Sequence, residues 1–264
     1  MTVDNVFQII IVALFSFGVA IRLFRQTTPY QKVITPPKIF RTLHRFFYGS
    51  FNYYSLLNKE EQKRFLVRAY SISKRLNIKG GGGFDVTQPM RLLISAAQTQ
   101  LTFGYKRFYL SRFRNILVYP DEYKNKQTGQ YHQGEVNGRG IIVLSWNNFM
   151  KGYKNPHDRI NLGLHEMAHA LMLTIIHTNE HEAGLDNYLN KVLKLSIPEI
   201  EQIKQHKPHL FRSYAGSNPF EFFAIAIENF FEDPSRMRDE LPIIYQHMCK
   251  LLKQDPAALK FIIK

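Results

Sequence analysis

The sequence predicts an α+β domain, mostly helical with a small sheet, preceded by one N-terminal transmembrane helix. Three observations support this fold class. Apolar residues recur at helical spacing in several stretches, including the run at 162–176. Short β-rich runs lie at 115–119 and 141–146, where turn residues bound them. An apolar run lies at 6–21 near the N-terminus, and the chain as a whole is 45% apolar, which is enough to bury one sizeable core.

The N-terminal apolar run has the character of a short membrane span. It lies at the lower edge of the ~17 to 25 residues that a span requires, and Arg22 and Arg25 can extend to the headgroups. A cleaved signal peptide is disfavoured because no Lys or Arg precedes the run and its small-x-small triplets lie inside it. A buried core helix is the other alternative. We predict a transmembrane anchor at 1–25, and the positive-inside rule places the following domain in the cytoplasm, tethered to the inner membrane by a single pass.

Positive charge is concentrated directly after this run. The net charge is +14, and the stretch from Arg22 to Asn58 contains six Lys or Arg and no Asp or Glu. Anionic headgroups attract such juxtamembrane bases at about 1 kcal/mol each, so an anionic membrane surface is favoured as the partner over nucleic acid. Cys249 is the only cysteine, which excludes an intramolecular disulfide. Residues 26–38 contain three prolines and predict a linker, which leaves 39–264 as the domain.

Local signals place the elements of this domain. Asn58, with Glu61 three residues later, predicts a capping box at the start of a helix over 59–76, and a second helix is expected over 87–103. The four glycines at 80–83 have no following Gly-Lys-Ser/Thr and no predicted strand before them, so they indicate a flexible turn. The strand at 141–146 is either an edge that pairs with an extended substrate or an interior strand.

A His-Glu-x-x-His element lies inside the apolar helical pattern. The four-residue step from His165 to His169 brings both imidazoles to one helix face, where they can reach a single metal ion. Zinc accepts two imidazoles and a carboxylate and keeps a fourth position for water. Glu166 then lies beside that water and can take its proton. Because the flanks are apolar, three polar side chains would be desolvated together without a shared task, and this favours a Zn²⁺ site over a chance match.

The third ligand is sought on a later, mostly apolar helix. Asn218 predicts the N-cap of this helix and Pro219 its first residue. Glu221 then has two compatible interpretations, the third-position carboxylate of a capping box and the third zinc ligand. Glu228, seven residues on and on the same face, is the second candidate. The acidic stretch at 180–182 is nearer in sequence, but its polar neighbours predict a solvated loop.

These segments resemble the bacterial zinc peptidases of the Mlc titration factor A family. The Tyr-x6-Glu-Phe-Phe-Ala segment is also similar to the catalytic domain of anthrax lethal factor. The likeness runs from about Leu56 to Asp255, and the segments that carry it are 92–98 (LLISAAQ), 116–120 (ILVYP), 140–146, 165–169, 214–224, Tyr245 and 254–256.

The resemblance implies a zincin-like metallopeptidase domain with a gluzincin-like site. Carried over position by position, His165, His169 and Glu221 would bind zinc and Glu166 would be the general base. Tyr214 would stabilise the tetrahedral intermediate, although a packed loop tyrosine is the alternative for this residue.

Two features depart from the family pattern. Met172 stands where the family motif His-Glu-Phe-Ala-His-x-Leu-Asp has its aspartate, and the membrane anchor is unlike the soluble member that names the family. That member binds a transcriptional repressor of sugar uptake and shows aminopeptidase activity. We therefore expect a zinc-dependent peptidase, with aminopeptidase activity as one form, that acts on a peptide or protein substrate. The alternative is a membrane-tethered binding protein that sequesters a regulatory partner and uses zinc only structurally.

Overall fold

The computed structural model describes residues 37–125, 129–178, 181–258 and 260–261. The predicted anchor at 1–25 and nearly all of the predicted linker lie outside the described residues and stay predictions. Within the described ranges, no helix combines the length and the apolar character needed to cross a bilayer.

Helices form most of the described chain, and short strands form its sheets. The helices are α1 (Pro37–Ser50), α2 (Asn52–Ser55), α3 (Lys59–Arg75), α4 (Gln88–Leu101), α5 (Trp146–Lys154), α6 (Leu162–His177), α7 (Leu185–Lys204), α8 (Pro219–Glu232), α9 (Pro234–Glu240) and α10 (Pro242–Leu252). The strands are β1 (Asn77–Gly80), β2 (Asn115–Tyr119), β3 (Tyr123–Lys124), β4 (Tyr131–His132), β5 (Gly134–Val136), β6 (Ile141–Ser145), β7 (Gln254–Asp255) and β8 (Lys260–Phe261). The mostly helical α+β prediction is confirmed for this part of the chain.

Side-chain caps begin several helices, and those at Asn58 and Asn218 lie at predicted positions. Asn58 Oδ1 accepts from the backbone N–H of Glu61 at 3.0 Å, and the Glu61 carboxylate accepts from the N–H of Asn58 at the same distance. The predicted capping box is therefore confirmed. Asn161 caps α6 and Asn218 caps α8 through their side-chain oxygens, so asparagines fix where the two site-bearing helices start.

The main sheet has the order β1-β2-β6-β5. Its first three strands run parallel, with Ile116 opposite Ile142, and β5 pairs antiparallel with β6 at the sheet edge. Strand β6 is therefore interior, as its nearly continuous burial requires, and the interpretation of this run as the edge is wrong. The strand ends at Ser145, which caps α5, so Trp146 starts a helix and does not extend the strand.

Helix α6, which carries His165 and His169, lies in the core between the main sheet and other helices. It packs against β5 and β6 on one side and against α8 and α4 on others. Apolar side chains of α8, including Phe222, Phe223 and Ile225, are fully buried. This packing fixes the axes of α6 and α8 relative to each other, and so fixes the distances between the polar side chains they share.

Candidate metal site

Two histidines and one glutamate converge between α6 and α8. The Nε2 atoms of His165 and His169, one turn apart on α6, lie 3.2 Å from each other. Glu221, in the first turn of α8, places Oε2 at 3.1 Å from His165 Nε2 and Oε1 at 3.6 Å from His169 Nε2. All the donor atoms of this group lie within 4.8 Å of one another. The structure thus brings together the three residues predicted to bind the metal.

The donor set fits a zinc ion. Two imidazole nitrogens that face each other and one carboxylate need a positive charge between them, supplied either by a proton or by a metal ion. The three side chains are only 12%, 15% and 18% exposed, so water does little to screen them. Nitrogen and carboxylate oxygen donors bind Zn²⁺ at about 2.0–2.2 Å, and three protein ligands leave one position open.

Protonation of this group shows how strongly its charges interact. Burial alone would lower the pKa of His165, but the carboxylates of Glu221 and Glu228 raise this pKa to about 10. Burial opposes the ionisation of Glu221, yet its contacts with His165 and His169 lower the pKa of Glu221 to about 2. In the metal-free protein, a proton on His165 therefore holds the group together. A metal ion must displace that proton, so metal affinity rises with pH.

Glu228 lies behind His165 and does not join the three donors. Its Oε1 lies 2.8 Å from His165 Nδ1 and accepts from Arg212 Nη2 at 2.7 Å. Its Oε2 accepts from the backbone N–H of Asn161 at 2.7 Å and from Arg212 Nη1 at 3.2 Å. Because the carboxylate can only accept, Nδ1 of His165 carries a proton in this contact, which leaves Nε2 as the atom that faces Glu221 and can bind a metal once its own proton is displaced. Glu228, 1% exposed, thus fixes the orientation of the His165 ring.

Glu166 is buried beside the donor group. The residue is 4% exposed, and its Oε2 has no hydrogen-bond partner in the described part of the chain. Burial raises the pKa of Glu166 to about 7. Strand β5 approaches this carboxylate so closely at Gly134 that a Cβ at this position would overlap the carboxylate, so a larger residue there would displace it. The sheet edge and the carboxylate therefore form one surface.

A groove of about 670 Å³ gives access to this surface. His165, Glu166 and Tyr214 all line it. Tyr214 lies on the 3-10 turn Ser213–Gly216 and is 54% exposed, which is too open for the alternative of a packed loop tyrosine. Burial of its inner part raises the pKa of Tyr214, and the nearby Glu221 and Glu166 add to the rise, so the phenol keeps its proton.

The remaining candidates lie elsewhere. Glu180 is outside the described residues. Glu182 accepts from the Nζ of Lys253 and from the backbone N–H groups of Lys106 and Arg107, which assigns it to loop packing. Met172 is 1% exposed and packs in the core.

Sequence reasoning missed several residues that shape the site. Arg212 and Asn161 had no role assigned, and Glu228 was considered only as a replacement ligand. A usable signal existed for Glu228, since an acidic residue on an apolar helix face needs a partner. For Gly134 no local signal existed, because its role depends on an approach between distant segments.

The fold and the donor set together have the form of a metallopeptidase. The family comparison agrees with this class: residues 25–253 match the model of the glucose-regulated metallo-peptidase M90 family. The chain belongs to this family. Since curated relatives carry the name Mlc titration factor A, the resemblance inferred from the sequence is confirmed.

Two of these relatives come from Yersinia. The protein of Yersinia enterocolitica serotype O:8 / biotype 1B is 28% identical over 223 residues, which cover 76% of this chain and 82% of the relative. The protein of Yersinia pestis strain Pestoides F is also 28% identical, with 76% and 81% covered. Among solved structures, the Pro-Pro endopeptidase of Paenibacillus alvei is similar with a TM-score of 0.41 and 21% identity, over 69% of this chain and 99% of that one.

Proposed function

We propose that this protein is a zinc-dependent peptidase in which His165, His169 and Glu221 hold the metal and Glu166 is the general base. The observation that carries the proposal is the Glu166 carboxylate, which is buried next to the donor group and has an oxygen without a partner in the described chain. A buried carboxylate with this freedom and a pKa of about 7 has the properties of a general base.

The reaction follows from the positions of these residues. When bound, Zn²⁺ supplies Lewis-acid chemistry, which polarises the scissile carbonyl and lowers the pKa of water to about 7. Glu166 accepts a proton from the attacking water as the C–O bond forms, and donates it to the amine nitrogen as the C–N bond breaks. The protonated phenol of Tyr214 donates a hydrogen bond to the oxyanion. Glu228 keeps the ring of His165 in place throughout.

Strand β5 supports an extended peptide as the substrate. It is the edge of the main sheet in the described residues and lies directly on Glu166 through Gly134. An edge strand presents backbone groups that can pair with an added peptide strand. The role first considered for β6 is therefore assigned to β5.

Location remains a proposal supported by the sequence. We infer a single anchor at 1–25 in the inner membrane, with the domain in the cytoplasm and its basic juxtamembrane stretch on the anionic surface. Fusion of reporters after Lys264 tests this topology. A cytoplasmic reporter should be active. Activity of a periplasm-only reporter would contradict the cytoplasmic orientation, and release of the protein by a carbonate wash would contradict the anchor.

A second function is favoured by the name of the relatives, Mlc titration factor A, which describes a protein that titrates a regulator. On this alternative the present chain sequesters a regulatory protein at the membrane and zinc is structural only. Substitution of Glu166 would then leave the function intact, because the base has no part in binding.

A peptide-library assay on the purified, zinc-loaded full chain separates the two functions. The library contains peptides with free and with blocked N-termini, and Glu166→Gln is the matched control because it keeps the size and the neighbouring ligands. We expect cleavage by the wild type and a ~10² to 10⁴-fold loss in the variant. Cleavage of blocked peptides would identify an endopeptidase. Equal activities, or no cleavage by a wild type with full zinc, would contradict the peptidase and favour sequestration.

A further inference from the structure

A second, smaller cavity lies beside the metal site and has no role in the proposed reaction. We call it the Glu232 cavity; its volume is about 90 Å³, and Tyr53, Tyr153 and Phe231 form aromatic walls. Asn161 separates it from the metal site, because its side chain donates to Glu232 Oε1 at 2.9 Å while its backbone N–H donates to Glu228. The two sites are thus neighbours, and no described residue lines both.

Three residues that line this cavity each carry a buried polar atom that lacks a hydrogen-bond partner in the described residues. These atoms are Gln100 Oε1, the Tyr153 hydroxyl and Glu232 Oε2. Gln100 is 5% exposed and Glu232 is 7% exposed. A backbone hydrogen bond from Arg159 and the side-chain hydrogen bond from Asn161 oppose the rise in the pKa of Glu232, and within strict hydrogen-bond geometry Oε2 has no partner in the described chain. Unpartnered buried atoms are rare in proteins, and three around one cavity point to a ligand.

The charge of the cavity wall selects the ligand. No Lys or Arg is among the described residues that line it, whereas the carboxyl groups of Glu232 and Asp255 do. Burial raises the pKa of Glu232 to about 8, and the facing carboxylates of Asp158 and Glu228 add to the rise. A bound cation would therefore favour the ionised form of Glu232, which burial disfavours. The faces of the aromatic rings in the cavity wall also attract a cation.

The size of the cavity limits the ligand further. A cavity of about 150 Å³ holds benzene with its six heavy atoms, so 90 Å³ corresponds to about four heavy atoms. A guanidinium group has this size, is planar, and offers five N–H donors when it is carried by an arginine side chain. Leu56, which lines the cavity, is 55% exposed, so a side chain can enter from the surface there.

We propose that the Glu232 cavity binds a guanidinium group, supplied by an arginine side chain of a peptide or by a free guanidine compound. Glu232 accepts from two N–H groups of the guanidinium, and Gln100 Oε1 and the Tyr153 hydroxyl each accept from one more. Glu232 is linked to Glu228 through Asn161, and in the described residues no hydrogen bond or ion pair joins Glu232, Gln100 or Tyr153 directly to His165, His169 or Glu221.

Titration calorimetry of the full chain with methylguanidinium chloride tests the proposal, with methylurea as a neutral probe of the same shape. We expect saturable binding of methylguanidinium and none of methylurea. Glu232→Gln should weaken binding at least ~10-fold while zinc content stays at the wild-type level. Glu199→Gln, which changes a carboxylate paired with His209 outside the cavity, is the matched control and should bind like the wild type.

A second variant guards against misfolding of Glu232→Gln. Tyr153→Phe removes a hydroxyl that has no partner in the described chain, so it should fold normally and bind methylguanidinium several-fold more weakly. The source of the group is distinguished by comparing N-acetyl-arginine amide with a peptide that carries arginine in its interior. Absence of saturable methylguanidinium binding, equal binding of methylurea, or unchanged affinity in both variants would overturn the proposal.

Discussion

Two glutamates on the same face of α8 differ in almost everything except residue type. Glu221, in the first turn, is 18% exposed in its side chain and faces the Nε2 atoms of His165 and His169. Glu228, two turns on, is 1% exposed, and Arg212 and the backbone of Asn161 donate to its oxygens. A carboxylate that binds a metal must keep an oxygen available, whereas one that orients a ligand is surrounded by donors. Surroundings, and not position on the face, separate the two roles.

Local structure explains why Glu221 is available. Asn218 Oδ1 accepts from the backbone N–H groups of Phe220 and Glu221 at 2.9 and 3.0 Å, so the start of α8 is capped by the asparagine. The Glu221 carboxylate is then directed to the histidines. Its capping-box interpretation is not needed for this helix start.

The largest effect in this comparison is expected for Glu221→Gln. The change replaces the only anionic group of the donor set with an amide, while Asn218 still caps the helix, so zinc should be lost with little loss of stability. The loss in affinity should exceed the about 10- to 100-fold typical of an orienting residue. Zinc stoichiometry and thermal midpoint after dialysis against a mild chelator check this. Full zinc in Glu221→Gln would exclude Glu221 as a ligand.

Compared with Glu221→Gln, Glu228→Gln should lose less zinc affinity and more stability. Zinc affinity should fall by about 10- to 100-fold, because His165 loses its anionic acceptor. Stability should fall as well, by about 1–3 kcal/mol, since the guanidinium of the partly buried Arg212 loses its charged partner. Chelator competition and urea unfolding measure the two effects. Complete zinc loss here, with retention in Glu221→Gln, would exchange the roles of the two residues.

Metal removal sharpens the same contrast. The apolar faces of α6 and α8 are buried without help from the metal, and the protonated His165 keeps its contacts with both glutamates. We expect the chelated protein to keep its far-UV circular dichroism and to lose only the part of its thermal midpoint that ligand linkage supplies. Unfolding on chelation would instead indicate a structural zinc and would favour the sequestering function.

The smallest effect concerns Glu182, a carboxylate with a purely structural setting. Burial opposes its ionisation, but Lys253 and the backbone N–H groups of Lys106 and Arg107 lower its pKa. A lowered folded pKa stabilises the protein above the unfolded pKa of about 4.3, and this stabilisation is lost as the pH falls through the folded value. Glu182→Gln should therefore lower the free energy of unfolding by about 1 kcal/mol at pH 7, a value that allows for solvent screening of this partly exposed group. At pH 2, where the wild-type carboxyl is also protonated, the substitution should have no effect. Urea unfolding from pH 7 to 2 checks this; a difference that persists in acid would contradict it.

Residues with a local signal were predictable from the sequence. The spacing of His165 and His169 is a property of one helix, and Asn58 and Asn218 cap helices through groups two or three residues away. The expectation that no strand precedes the four glycines is wrong, because β1 (Asn77–Gly80) lies there. This strand has only one large apolar residue, Ile78, and forms through its pairing with β2, so its sequence carries no local signal. Helix α1 was missed because it lacks acidic and capping signals.

The rest of the site depends on contacts between distant segments. The pairing of Arg212 with Glu228 and the approach of Gly134 to Glu166 arise only when α6, α8 and β5 pack together. No window of sequence contains both partners of either contact. The sequence therefore predicted the three donor residues and Glu166, whereas the residues that support them become apparent only in the structure.

The central claim is that the metal lies between α6 and the first turn of α8, and anomalous diffraction at the zinc edge from crystals of the zinc-loaded protein tests it most directly. We expect one strong peak about 2.0–2.2 Å from His165 Nε2, His169 Nε2 and a Glu221 oxygen, with Glu228 remaining on the Nδ1 side of His165. A peak coordinated by Glu228, a peak away from α6, or no peak in a protein loaded with equimolar zinc would contradict the account.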